Sequence, residues 1–432
     1  MKKRYITIWL NAVLMLALML GAAGCQDSGL EPGNGMIVYV GVDDNIYTIN
    51  QFGENKLVLT ENTSAGGEER FVNEQPTWSP DSNQIAYIQS TRVGNITQVA
   101  ALYTVRPDGS DLVELFSSDS QFPFYLYWSP DSQRLSFLST GGQEPGLVLN
   151  MIAPQGGEAQ VLGTGQPFYW DWSPDSKSIL IHTGGSSRRN PDARLALLDL
   201  NSEVIESELT LQPAFFQAPA WSPDGERLLL AGDSDRVGEG LLLTDTNGEV
   251  LSIIRAVDDS IAFSWSPDGN WVAYITENNR FTEDISRTLF YLDPDQPEGS
   301  QSLDNDFVIA FFWSPDSQKI AYFVPKIGIS SEQQVSLPAQ DSQFSIELHV
   351  LDVQSGNSQR LTEFRPTEDF LQIMPYFDQY QRSATIWSPD SSNLVFSALD
   401  QDGTPRIYTI GISENPESSR LASGRLAFWS WK

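Results

Sequence analysis

The sequence predicts an all-β protein, an eight-bladed β-propeller of four-stranded antiparallel blades. The string Trp-Ser-Pro-Asp occurs seven times, and a truncated eighth copy, Trp429-Ser430, lies at the C-terminus. Successive copies are 42 to 50 residues apart, except for one interval of 74 residues. Because a propeller blade takes about 40 to 50 residues for its four strands, this period predicts one blade per copy of the motif.

Each copy of the motif predicts a turn between two strands. Proline presets the φ angle for the second position of a type I turn, and the adjacent Ser and Asp can bond nearby backbone N–H groups. After the first copy, Ile85 and Tyr87 are apolar at a spacing of two, which indicates one face of a strand. Residues 102–105 and 112–116 then predict the third and fourth strands of that blade.

The two ends of the chain predict the number of blades. Residues 37–39, 46–49 and 56–60 match the second, third and fourth strands of a repeat, but no motif precedes them. Residues 426–430 match the missing first strand. Pairing of the N-terminal and C-terminal strands would then complete an eighth blade and close the ring without open edges.

The repeated motif, followed by alternating apolar residues, resembles the TolB-type propeller family. The resemblance covers roughly residues 36–431. It implies a propeller that usually works as a binding scaffold, but it does not fix a ligand. TolB itself has six blades and an extra α/β domain, neither of which fits this sequence, so its partners are not carried over. The Trp and Asp of the motif recur in every repeat, which favours a packing and turn role for them.

The N-terminus predicts a lipoprotein signal peptide. Lys2, Lys3 and Arg4 precede an apolar stretch that is too short for a spanning helix, and small residues follow it. A cysteine directly after such a signal resembles the lipobox of bacterial lipoproteins, in which the thiol carries the lipid. We therefore expect a signal peptide at 1–24, a flexible linker at 25–35 beginning with lipidated Cys25, and the propeller at 36–432. The protein would be extracytoplasmic, anchored to a membrane of the cell envelope on its periplasmic or cell-surface side.

Composition argues against several classes of function. The formal net charge of −30 disfavours nucleic acid, whose recognition requires basic patches. The single cysteine leaves no disulfide framework. No Gly-x-Ser-x-Gly nucleophile motif is present, and His182 and His349 are the only histidines, so neither a serine hydrolase nor a histidine-rich metal site is expected. We expect no cofactor and assign no metal site, although the acidic loops at 43–44 and 233–235 leave calcium open.

The 74-residue interval contains two insertions, at 325–343 and 364–382. In a four-stranded meander, both would rise from one side of the ring, opposite the Ser-Pro-Asp turns. The second insertion is dense in aromatic and charged residues, which favours either partner recognition or a loop that covers its own propeller. The candidate binding residues on this side are Arg188, Arg189, Glu368, Asp369, Phe370, Tyr376, Phe377, Asp378 and Tyr380.

The sequence thus predicts a non-catalytic, lipid-anchored scaffold that recognises a protein or glycan partner through one face of a propeller. Two alternatives stay open. The first is a propeller hydrolase that acts on glycans or peptides with a pair of carboxylates, because acidic residues are plentiful. The second is a purely structural subunit of a cell-envelope complex.

Overall fold

The structure is a computed structural model, and it describes residues 35–61, 69–140, 146–201, 203–215, 217–235, 238–257, 260–278, 286–303, 307–327 and 344–432. The predicted signal peptide, Cys25 and most of the first insertion lie outside these ranges. No helix in these ranges is long and apolar enough to cross a membrane.

The described residues form a β-propeller of seven antiparallel sheets. The chain starts with β1 (Met36–Gly41), β2 (Ile46–Asn50) and β3 (Leu57–Val58). Blades 1 to 3 follow, and each is a four-stranded sheet in chain order. Their strands are β4 (Glu69–Trp78), β5 (Ile85–Val93), β6 (Ile96–Val105) and β7 (Val113–Ser118) in blade 1; β8 (Pro123–Trp128), β9 (Leu135–Thr140), β10 (Leu147–Ile152) and β11 (Gln160–Gly165) in blade 2; β12 (Phe168–Trp172), β13 (Ser178–Thr183), β14 (Arg194–Asp199) and β15 (Ile205–Glu208) in blade 3.

Blades 4 to 6 repeat this plan, except that two short strands share the first position of blade 4. Their strands are β16 (Gln212–Pro213), β17 (Ala220–Trp221), β18 (Arg227–Ser234), β19 (Gly238–Asp245) and β20 (Val250–Ala256) in blade 4; β21 (Ile261–Trp265), β22 (Val272–Asn278), β23 (Ser286–Leu292) and β24 (Gln301–Ser302) in blade 5; β25 (Ala310–Trp313), β26 (Lys319–Ile327), β27 (Phe344–Asp352) and β28 (Ser358–Phe364) in blade 6. The first strands of neighbouring blades contact one another around the central channel.

The prediction of eight blades is wrong. The last strands are β29 (Asn393–Leu399), β30 (Pro405–Gly411) and β31 (Ser418–Trp429), and they join β1, β2 and β3 in one six-stranded sheet, blade 7. The first part of β31 pairs with β30 and its second part pairs with β1, with only a register shift near Gly424 between them. Because β31 is continuous, the repeats that were predicted as a seventh and an eighth blade form a single sheet.

The seven sheets are not joined to one another by strand pairing in the described part of the chain. The ring is therefore not closed by a hydrogen-bonded seam, and contacts made by side chains hold neighbouring blades together. Trp128 Nε1, for example, donates to the carbonyl oxygen of Thr77, which directly precedes the motif Trp of the preceding blade, at 3.3 Å. Trp387 Nε1 donates in the same way to Phe312, at 3.1 Å.

A serine in the motif turn also links neighbouring blades. Ser132 has a φ angle of 61°, in the left-handed region that favours glycine. Its hydroxyl accepts the backbone N–H of Asp81 in the preceding blade, at 3.1 Å. At the C-terminus, Ser82 accepts the backbone N–H groups of Trp431 and Lys432 in the same way, at 3.0 and 3.1 Å. Glycine would adopt this backbone conformation without steric cost, but it has no hydroxyl to form the bond between blades. This bond is a physical reason for serine at the position.

Candidate functional site

The second insertion folds into helices and not into an irregular loop. Thr367 caps α1 (Glu368–Ile373) and accepts the N–H of Phe370, while Glu368 and Asp369 place negative charge in the first turn. A 3-10 turn (Met374–Tyr376) and α2 (Phe377–Tyr380) follow. We call residues 366–382 the plug.

Hydrogen bonds fix the plug inside the central channel. The side chain of Gln379 donates to the carbonyl oxygen of Trp170 at 2.8 Å and accepts the Trp170 N–H at 3.1 Å. The Tyr125 hydroxyl donates to the backbone oxygen of Gln379, and Asp378 accepts the N–H of Ala218 at 3.0 Å. Trp170 and Tyr125 lie on the first strands of blades 3 and 2, and Ala218 lies two residues before β17 in blade 4. One short segment therefore contacts several blades at once.

Apolar contacts also hold the plug, with blade 6 and with Tyr125 of blade 2. Phe377 is fully buried, and its ring centroid lies 4.9 Å from that of Phe311 in blade 6. Phe370 is also fully buried and packs on Phe323, with 5.8 Å between ring centroids. Tyr380 packs edge-to-face on Tyr125 at 4.7 Å. The plug thus joins the core of its own propeller.

The structure separates the predicted binding residues into two groups. Phe370 and Phe377 are buried, Asp378 and Tyr380 are half-buried and contact the propeller, and Asp369 forms an ion pair with Arg425. A partner cannot contact Phe370 or Phe377 without displacing the plug, so the alternative of a covering loop describes them better. The exposed residues are Arg188, Arg189, Glu368 and Tyr376, and Arg188 is paired with Asp233 at 2.7 Å.

A helical pattern in the sequence could have indicated the plug. Phe370, Ile373, Met374 and Phe377 are spaced by three or four residues, which is the period of a buried helix face, and Thr367 precedes them as a cap. All four apolar residues are buried.

The two insertions start from the same end of blade 6. Ile327, the last residue of β26, is opposite Phe344, and Phe364, the last residue of β28, is opposite Ile346. This is the end of the sheet away from the motif turns. We call this side of the ring the insertion face and the other the motif-turn face. Residues 328–343 lie outside the described ranges.

Two buried carboxyl groups face the channel at different depths. Burial raises the pKa of Asp378 to about 6, although the Ala218 N–H and the charge of Arg287 oppose the shift. Burial also raises the pKa of Asp171, and the charge of Arg382 opposes this most strongly. Asp171 accepts the Tyr127 hydroxyl at 2.6 Å and the Trp221 N–H at 2.9 Å. Both carboxyl groups therefore have protein partners.

The described residues contain no group of three or more His, Cys, Asp and Glu side chains that could hold a metal ion. His182 is buried with its two ring nitrogens each 3.0 Å from a backbone carbonyl oxygen, those of Gln217 and Gly185. His349 stacks on Tyr322 and lies 3.2 Å from Glu347. Both histidines are therefore held in place by contacts with other protein groups.

No family model and no curated protein matches the sequence. Several solved propeller structures are similar to the fold. TolB from Acinetobacter baumannii is 17% identical, with a TM-score of 0.37. The match covers 62% of this chain and 63% of TolB. An oligogalacturonate lyase in complex with manganese is 13% identical with a TM-score of 0.51, covering 87% of this chain and 96% of the lyase. The dihydro-heme d1 dehydrogenase NirN is 13% identical with a TM-score of 0.55, covering 94% of this chain and 78% of NirN.

These likenesses show the propeller fold and leave the specific function unresolved. The manganese named for the lyase gives a test of chemistry, because a manganese ion needs several carboxylate or imidazole ligands that converge. The described residues do not supply such a set. We therefore derive no metal-dependent step for this chain.

Proposed function

We propose that this chain is a lipid-anchored, extracytoplasmic binding scaffold that recognises a protein or glycan partner through its insertion face. The observation that carries the proposal is the plug, which places the chain's own residues across the centre of the ring and leaves a cavity of about 280 Å³ beside Asp369, Gln372 and Arg425. Propellers with larger central spaces can hold substrates or cofactors there. Here Asp378 and Asp171 are bonded to protein groups, which argues against the alternative of a carboxylate-based hydrolase.

The exposed part of the insertion face offers a mixed set of contacts to a partner. Tyr376 is 52% exposed, and Glu368, Arg188 and Arg189 are exposed residues of the same face. A face with an exposed aromatic ring and charges of both signs has a composition typical of protein interfaces. These four residues are the surviving candidates from the set that the sequence predicts.

We expect that the triple replacement of Tyr376, Glu368 and Arg188 by Ala will reduce the amount of partner captured by about tenfold or more. Capture is by covalent cross-linking in cells. The reason is that exposed aromatic and Arg side chains contribute most to interface free energy, and tenfold corresponds to only about 1.4 kcal/mol. The measurement is quantitative mass spectrometry of molecules cross-linked to wild-type and variant protein, with a parallel assay for glycans.

A matched variant on the motif-turn face controls for loss of surface residues. Phe52, Lys177 and Glu226 are exposed there, and Phe52 is 74% exposed. Their triple replacement by Ala removes one aromatic ring, one cation and one anion, as the test variant does. Equal capture by the two variants, with both folded, would contradict recognition through the insertion face.

Anchoring has its own test. We expect Cys25→Ser to leave the chain without lipid and to move it from the membrane fraction to the soluble fraction, because two acyl chains give stable attachment that the propeller alone does not provide. Fractionation without detergent, followed by immunoblotting, measures this. Full retention of the Cys25→Ser protein in membranes would rule out the lipid as the main attachment.

A further inference from the structure

The motif-turn face has a cavity where the plug ends. The cavity has a volume of about 390 Å³ and lies on the opposite side of the ring from the insertion face. Its walls come from the motif residues of successive repeats, including Trp128, Trp172, Trp221, Pro130, Pro174 and Pro223. This volume lies in the range of small-molecule sites, which are about 300 to 1,000 Å³.

Arg382, the last residue of the plug, lines the cavity. Arg382 also lines two smaller neighbouring cavities, of about 70 and 20 Å³. All three cavities therefore share the Arg382 side chain. Within the described ranges, its guanidinium group forms neither a hydrogen bond nor an ion pair. Asp171 is the buried carboxylate within electrostatic range, and its two oxygens accept bonds from Tyr127 and Trp221.

Arg382 thus keeps donors that a ligand can use. Its side chain is half-buried, and none of its nitrogens is completely buried without a hydrogen-bond partner, so its five N–H donors are open to solvent. The nearby carboxylate is already engaged, and proline residues supply no N–H. The cavity thus offers a cation and aromatic walls to a ligand that brings its own acceptor.

We propose that this cavity binds an acidic sugar residue, with the sugar carboxylate on Arg382 and the sugar ring against Trp431. A guanidinium group can hold a carboxylate through two parallel hydrogen bonds. Trp431 lines the outer part of the same cavity and is only partly buried, so its indole ring is available for the C–H groups of a sugar. This site goes beyond the recognition proposed for the insertion face and does not depend on it.

The walls favour a sugar over a peptide. Peptide recognition in grooves usually relies on main-chain N–H and C=O groups of the receptor, as in strand addition. The prolines of four motif turns line this cavity, and proline has no N–H to offer. A compact ring with one carboxylate matches the cavity in size and in chemistry.

The site is also selective by charge at short range. The formal net charge of −30 repels anions at a distance, so the attraction must come from contact with the two cations that line the cavity, Arg382 and the exposed Lys432. A neutral sugar would leave the guanidinium group without an acceptor of opposite charge. We therefore expect discrimination between acidic and neutral sugars of the same size.

The test measures binding of a glucuronic-acid-terminated disaccharide and of its glucose-terminated counterpart to the full mature chain. Calorimetry gives the dissociation constants, and quenching of tryptophan fluorescence reports on the cavity. We expect saturable binding of the acidic disaccharide, and binding at least about tenfold weaker for the neutral one. Arg382→Gln should weaken binding of the acidic disaccharide by about tenfold or more and leave the neutral one unchanged.

Further variants separate the site from the fold. Arg382→Lys keeps the charge but cannot form two parallel bonds, so we expect an intermediate affinity. Trp431→Ala should weaken the binding of both sugars, because it removes the ring against which the sugar packs. The segment should stay in place, because its bonds to Ser82 use backbone N–H groups. Lys177→Gln, on the same face but outside the cavity, should change nothing.

Three results with the sugars, and a fourth with a peptide, would overturn the proposal. The three sugar results are the absence of saturable binding to the wild-type chain, equal affinity for the acidic and neutral disaccharides, and an unchanged affinity in a folded Arg382→Gln protein. Tighter binding of a short peptide with a free C-terminal carboxylate than of the acidic disaccharide would also overturn it, and would assign the cavity to peptides. A failure of the insertion-face capture experiment leaves all of these measurements unaffected.

Discussion

Deletion of residues 426–432 is expected to abolish stable folding of blade 7 and to cause aggregation. These residues supply the pairing partner of β1, from Ile37 opposite Trp429 to Val40 opposite Leu426. Leu426, Phe428 and Trp429 are buried, and burial of a large apolar side chain contributes about 1.5 to 3 kcal/mol. Three such losses are comparable with the whole stability of a typical protein, about 5 to 15 kcal/mol.

The deletion also exposes an edge. The β1 residues Ile37, Val38, Tyr39 and Val40 are fully buried, and without β31 their backbone groups lose their partners on that side. Exposed apolar strand edges promote aggregation. Circular dichroism during heating and the soluble fraction after expression measure the two effects.

Removal of Lys432 alone is the matched control. It removes the bonds that its backbone forms with Ser82, Gly35 and the Ser430 hydroxyl but leaves β31 intact. We expect the free energy of unfolding to fall by about 1.5 to 4.5 kcal/mol, which corresponds to three hydrogen bonds. If the longer deletion melts within a few degrees of the control, β31 does not have the role that its pairing indicates.

Local structure was the part of the fold that the sequence could predict. The turn at each Trp-Ser-Pro-Asp is confirmed, and strands flank it at six of the seven copies, such as β4 and β5; at the copy with Trp387, only an isolated bridge between Trp387 and Leu394 replaces the first strand. These features depend on Pro, Ser and Asp within a few residues and on an alternation with period two. The likeness to propeller structures is confirmed at the level of the fold.

The blade count depended on something less local. Whether two adjacent runs of strand belong to one sheet or two depends on a break between them. Residues 418–429 contain no proline, and their one turn-forming pair, Ser423-Gly424, does not break the strand. Gly424 tolerates the close approach of Val40 and Tyr39 at the register shift, where a Cβ atom would lie 2.7 Å from the Val40 oxygen. The strand therefore bends and continues.

The surroundings of the plug were equally hidden from the sequence. Arg382 lay inside the predicted insertion, but its importance arises from walls contributed by separate repeats, which no local pattern reveals. In the same way, aromatic residues suited to a binding loop were equally suited to burial. Whether these residues are exposed or buried depends on the space at the centre of the ring, which is a property of the assembled propeller.

Replacement of Phe377 by Ala is expected to lower the free energy of unfolding by about 3 to 5 kcal/mol, as for other fully buried Phe residues. Phe377 is 0% exposed and contacts Phe311 and Phe312, so the substitution removes these contacts and leaves a cavity. Tyr376→Ala, at the adjacent and 52% exposed position, should change the free energy by less than about 0.5 kcal/mol. Urea unfolding followed by tryptophan fluorescence compares the two variants. If they are equally stable, the plug is a cover that only rests on the ring. A large difference means that the plug contributes to the stability of the whole propeller. The physical reason is that Phe377 packs helix α2 against the first strand of blade 6.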